Sequence, residues 1–181
     1  MFSHVIEPNL ELRLYEERFL DEVYQTVITN RDHLKRFLPW AQKVEGPETT
    51  RDFIKRSLQQ FANNDGMQCG IWEHGRYVGG IGVHWIKWEP RYTEIGYWLA
   101  RDAQGRGIMT KAVRAIVNHA FDAWKLNRVE IHCDPGNVRS RAIPLRLGFK
   151  EEGTLRQVSL GENDRLCDSV VYGILASEWK K

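Results

Sequence analysis

The sequence predicts a mixed α/β fold, on three observations. Apolar residues recur at helical spacing through the first third of the chain, the period changes to two from Met67 onward, and a glycine-rich bend, Gln104-Gly105-Arg106-Gly107, joins an alternating run to a further helical pattern. At 181 residues the chain is expected to form one domain, residues 1–181, large enough to bury a core without disulfides or a structural metal.

Each element has its own signal. Leu10, Leu12 and Leu14 alternate with Glu11 and Arg13, as in a strand with one buried face. Over residues 18–29, Phe19, Val23 and Val27 with Leu20, Tyr24 and Ile28 fall four apart in two adjoining rows, which predicts an amphipathic helix. Residues 31–38 read as a second short helix, stopped by Pro39, because the residue before a proline is pushed out of the helical region. Pro47 suits the first position of a third helix, with Phe53, Ile54, Ser57, Leu58 and Phe61 expected on one side.

Residues 67–73, 76–88 and 92–100 then read as three successive antiparallel strands, turning at His74-Gly75 and around Glu89-Pro90-Arg91. After the glycine bend, Ile108, Ala112, Ala115, Ile116, Ala120 and Ala123 mark a helix. A strand over 128–133, a short helix from about Val138, and two last strands over 149–160 and 166–176 complete the order.

Composition excludes several classes. Hydrophobic residues at 42% and charged ones at 28% describe a soluble globular protein, and no run approaches the roughly 20 apolar residues that cross a bilayer. The first residues, Met1-Phe2-Ser3-His4-Val5-Ile6-Glu7-Pro8, lack a basic segment followed by an apolar one, so a cytoplasmic protein without membrane contact is expected. Cys69, Cys133 and Cys167 are odd in number and far apart, which argues against a disulfide framework and a zinc site and for buried small apolar residues. The histidines show no metal-ligand spacing, so no metal is expected, and His84 and His132 read as packed strand residues. A net charge of +2 is too mild to indicate direct nucleic-acid binding.

The bend is the chemically informative stretch. A glycine turn between a strand and a helix aims a row of backbone N–H groups and the positive helix end at one point, where a phosphate fits. Two nucleotide patterns are absent: Thr110 stands where Gly-x-Gly-x-x-Gly needs its third glycine, and no glycine precedes Lys111 as a P-loop requires. A tight turn without a ligand is the alternative reading.

Gln104-x-x-Gly107 resembles the loop with which the GNAT superfamily of N-acetyltransferases binds the pyrophosphate of acetyl-coenzyme A. Gln104-Gly105-Arg106-Gly107-Ile108-Met109 is similar to the RimL/RimJ branch, the ribosomal-protein N-terminal acetyltransferases, although Met109 replaces the Gly or Ala of the general pattern. Asn30-Arg31-Asp32-His33-Leu34 with Leu38-Pro39-Trp40, Glu94 through Leu99, and Asn137-x-x-Ser140 followed by Leu147-Gly148-Phe149 resemble the same branch in the same order.

The resemblance implies an acyl-CoA N-acyltransferase fold, whose mostly antiparallel central sheet splays at the strands before and after the helix that follows the pyrophosphate loop. It implies acetyl-CoA as cosubstrate, with backbone of Trp98, Leu99 and Ala100 holding the pantetheine arm and thioester. Gln104, Gly105, Arg106, Gly107, Ile108, Met109 and Thr110 would cap the pyrophosphate, with charge from Arg106 and Lys111 and an adenosine phosphate near Arg139 or Arg141. Ser140 would act as acid to the leaving sulfur, Asn137 beside it would bind the cosubstrate, and Glu94 would accept the amine proton through water; Asn137 as cap of the next helix, with Ser140 merely in its first turn, is the alternative reading. Asn30, Arg31, Trp40 and Trp85 would form the acceptor site. No carboxylate stands at Val158, Ser159 or Leu160, where some relatives carry one. Pro144 lacks an N–H and crowds the carbonyl of Ser140, so a bend near the proposed acid is expected.

The acceptor expected is a protein N-terminal α-amine. A small amine such as a polyamine, amino acid or antibiotic, a non-catalytic acyl-CoA-binding module, and an electrostatic ribosome or RNA binder are the competing readings. A homodimer is compatible with an unused sheet edge.

Overall fold

The computed structural model describes residues 3–180. One eight-stranded sheet organises them, in the spatial order β1-β2-β3-β4-β5-β6-β8-β7. Its strands are β1 (Ser3–Glu7), β2 (Leu10–Leu14), β3 (Met67–Glu73), β4 (Arg76–Lys87), β5 (Tyr92–Leu99), β6 (Arg128–Cys133), β7 (Lys150–Leu160) and β8 (Leu166–Leu175). The helices are α1 (Leu20–Thr29), α2 (Arg31–Leu34), α3 (Pro47–Ala62), α4 (Ile108–Asp122) and α5 (Val138–Arg146).

All neighbouring pairs are antiparallel except β5–β6. That parallel pair holds register only from Tyr92↔Arg128 through Glu94↔Glu130. Beyond it β5 runs on to Leu99 beside β4 and β6 to Cys133 beside β8 without pairing with each other, so the sheet opens between them.

Both faces of the sheet are covered. Ile108, Ala112, Val113, Ile116, Val117 and Ala120 of α4 are buried against Ile71, Ile81, Ile95, Val129 and Ile131, which explains the helical spacing seen after the bend. On the opposite face Tyr15, Leu20, Val23 and Ile54 enclose Trp72 and Tyr77, with Trp98 packed on them. Burying that many aliphatic and aromatic side chains, at about 1.5–3 kcal/mol each, is the main force holding the layers together.

Some expectations change in detail. β1 lacks the alternation that marks a half-buried strand, because as an edge strand it leaves most of its residues exposed. Pro39 does not merely stop a helix: α2 ends at Leu34, and Pro39–Lys43 forms a 3-10 turn. α3 buries a narrower stripe than expected, Thr50, Ile54 and Ser57, while Leu58 and Phe61 face solvent. All three cysteines are buried thiols. No helix among the described residues is long and apolar enough to cross a membrane.

Candidate active site

The opening between β5 and β6 continues into a crevice of about 2330 Å³ that reaches from the glycine bend to α3. At one end, Gly105 and Gly107 adopt φ +79° and +76°, the left-handed region that glycine enters without penalty. That geometry turns the chain into α4, and the first intrahelical bond runs from the Lys111 N–H to the Gly107 carbonyl at 3.1 Å. The N–H groups of Gly105 through Thr110 therefore have no partner among the described residues. A row of unmatched donors at a helix N-terminus fits a diphosphate.

The side chains around the bend are arranged differently from their backbones. Gln104 lies in the crevice, where its amide nitrogen is 2.6 Å from His33 Nε2 and its oxygen accepts from Arg139 at 2.7 Å. Arg106 turns away to Glu73 at 2.8 Å, and Lys111 pairs with Glu7 at 2.8 Å. Arg141 donates to the Tyr172 hydroxyl and the Pro135 carbonyl, whereas Arg139, on Gln104, and Arg146, which donates to the Thr110 hydroxyl at 3.1 Å, bring guanidinium groups beside the bend.

Strand alternation distributes chemistry to the two faces of the opening. On the α4 side, Tyr97 donates to the Ser140 carbonyl at 3.1 Å, and the Ser140 hydroxyl lies 3.4 Å from the Tyr97 oxygen and 3.3 Å from Cys133 Sγ. Burial pushes both the Tyr97 phenol and the Cys133 thiol up, so both stay protonated at neutral pH. Asn137 caps α5 by accepting the Ser140 N–H at 3.2 Å.

On the α1–α3 side stand Glu94 and Trp98. Burial pushes the Glu94 carboxyl up, but the His84 hydrogen bond and the His132 and His84 charges outweigh it and hold the group below the usual carboxylate range. Glu94 Oε1 is 3.2 Å from His84 Nδ1, and Oε2 is 4.0 Å from His132 Nδ1. His132 Nε2 is 3.1 Å from Glu130, which in turn accepts from Arg128 at 2.8 Å. The two histidines read from sequence as strand packing thus flank the crevice carboxylate. A period-two pattern reports which face a residue takes, not what meets it across the sheet.

Of the four expected acceptor residues, only Trp40 lines the crevice, with its ring 5.9 Å from that of Trp98. Asn30 instead accepts the Arg101 N–H at 2.8 Å and donates to the Thr26 carbonyl, so it ties α1 to the chain after β5. Arg31 donates to the Val44 carbonyl, and Trp85 packs edge-on to Tyr92. Ala100 is buried, and its N–H goes to Val78 of β4.

Residues 9–150 match the model of the acetyltransferase (GNAT) domain. The chain is 34% identical over 181 residues to the putative ribosomal N-acetyltransferase YdaF of Bacillus subtilis, covering 99% of this chain and 98% of that one. It is 30% identical to the ribosomal-protein-serine acetyltransferase of Escherichia coli, over 92% of this chain and 93% of the relative. A solved structure of RimL, described as a ribosomal L7/L12 alpha-N-protein acetyltransferase in complex with coenzyme A, superposes with a TM-score of 0.92 at 26% identity, covering 96% of this chain and 98% of that one. A sheet parted after one short parallel register, a bare donor row at the head of α4 and this likeness along nearly the whole sequence agree: the chain belongs to the GNAT acetyltransferase family.

Proposed function

We propose that the protein transfers an acetyl group from acetyl-CoA to the N-terminal α-amine of a ribosomal protein. The observation that carries this reading is the opening between β5 and β6, which has unmatched N–H donors at one end, Ser140 on one face and Glu94 on the other. Acetyl-CoA supplies an activated thioester carbonyl. The N–H groups of Gly105 through Thr110 hold its diphosphate, and unpaired backbone of β5 near Trp98 and Leu99 holds the pantetheine and polarises the carbonyl.

Ser140, kept in place by Tyr97 and by the cap from Asn137, donates to the departing sulfur. Glu94 is the carboxylate around which proton removal from the amine is organised. An α-ammonium has a pKa of about 8, so a weak acceptor suffices.

A peptide is favoured over a small amine by the extent of the crevice. About 2330 Å³ exceeds the roughly 300–1,000 Å³ of an ordinary small-molecule pocket. Beyond Trp40 and Trp98 it continues along α3 past Phe53, Arg56 and Gln60, room for residues that follow the reacting amine.

The test is mass spectrometry of peptides with free N-terminal Ser or Ala, and of spermidine and free amino acids, incubated with the protein and labelled acetyl-CoA. Label on the peptide α-amine is expected. Label on small amines alone, or thioester that stays intact with every acceptor, overturns the reading.

A further inference from the structure

β4 and β5 lose register at one place. Val83 pairs with Ile95 and Trp85 with Glu94, so His84 is an extra residue with no opposite number. Such a bulge re-aims the side chain it carries and frees backbone groups. Here the freed His84 carbonyl accepts from Gln60 of α3 at 2.6 Å, which fixes the bulge to the wall of the crevice.

The imidazole of His84 then turns its Cε1–Nε2 edge toward Gly96. A Cβ at position 96 would stand 2.3 Å from both Cε1 and Nε2 of the ring, closer than any packing tolerates. The absence of a side chain on β5, two residues before Trp98, is what lets the ring sit beside the opening.

Its two nitrogens have different surroundings. Nδ1 faces Glu94 Oε1 at 3.2 Å, whereas Nε2, beside Gly96, has no hydrogen-bond partner among the described residues; the side chain is 46% exposed and lines the crevice. His132 differs: both its nitrogens face carboxylates, Glu94 and Glu130, and its side chain is 23% exposed. We infer that His84 takes the proton from the acceptor amine through Nε2, with Glu94 as its positioning carboxylate. This rests on the acetyl-transfer reading above and names the proton acceptor within it.

The proton balance is simple. The acceptor ammonium gives one proton to Nε2 and becomes a neutral amine, whose nitrogen lone pair forms the bond to the carbonyl carbon while the carbon–sulfur bond breaks. The second proton lost by that nitrogen replaces the one that Ser140 gives to the sulfur. The proton on His84 returns to water when product leaves. The carboxylate on Nδ1 fixes the tautomer that leaves Nε2 free to accept and stabilises the imidazolium that results. Glu94 on β5 is the ionisable group that faces the ring; it also meets His132 on β6, which pairs with Glu130, while Arg56 on α3 and Asp65 after it line the same crevice.

The experiment combines kcat and pH profiles of kcat/KM, with an N-terminal Ser peptide as acceptor, and calorimetry of CoA binding. His84→Ala is expected to lower kcat by about 100-fold, leave the calorimetric affinity for CoA unchanged, and recover in part with free imidazole. Glu94→Gln removes the carboxylate that orients the ring, so it is expected to lower kcat as well, with CoA affinity unchanged and without rescue by imidazole. A His84→Ala profile matching wild type, or activity abolished by Glu94→Gln while His84→Ala retains it, overturns the inference with acetyl transfer intact. Peptides that no form of the protein acetylates would instead count against the function proposed above.

Discussion

At position 107 the backbone leaves one choice of residue. Gly107 combines φ +76° with a place at the head of α4, among donors that have no protein partner. A side chain there is strained whatever the space around it, and an acidic one also repels an anion at the helix end. Gly107→Glu is therefore expected to abolish CoA binding in calorimetry while circular dichroism stays that of the wild type; retained affinity would place the diphosphate elsewhere. The bend itself was legible in the sequence because glycine spacing is a direct record of backbone conformation. Arg106 was less so: its place in the loop is local information, but its turn toward Glu73 depends on β3, remote in sequence. The same holds for Asn30, Arg31 and Trp85, whose types suit an acceptor site but whose side chains are engaged by Arg101, Val44 and Tyr92.

Among elements, α5 shows how an irregularity is absorbed. Pro144 has no N–H to give to the carbonyl four residues earlier, that of Ser140, and that carbonyl accepts from Tyr97 instead. The sequence indicated where the helical ladder would be broken, but not that a tyrosine from β5 would fill the gap. Pro144→Ala restores a donor that competes with Tyr97, loosening the Ser140 hydroxyl relative to the opening. A several-fold fall in kcat with CoA affinity unchanged is expected; identical turnover would show that the Tyr97 contact does not set Ser140. The bulge at His84 was hidden for a related reason. Residues 76–87 read as one unbroken strand along the chain, and only pairing with β5 shows the extra residue. Strand β1 was missed because an exposed edge needs no apolar face.

For the molecule as a whole, the element order, the antiparallel pairs and the α4 core follow from periodicity, which needs no knowledge of partners. The parting of the sheet does not, since nothing local to 95–99 or 131–133 says that these strands diverge; it entered only through resemblance. Structurally, β1 to β5 on one side and β6, β8 and β7 on the other share three residues of register along that seam. In the proposed reading, a pantetheine chain laid in the gap would bridge both rims and act as a keystone as well as a reactant. Saturation at 100 times Kd would raise stability by about 2.7 kcal/mol through mass action alone. Amide exchange should slow on β5 and β6 together, whereas protection confined to the glycine bend would mean that the cosubstrate is tethered at its diphosphate and leaves the seam unzipped.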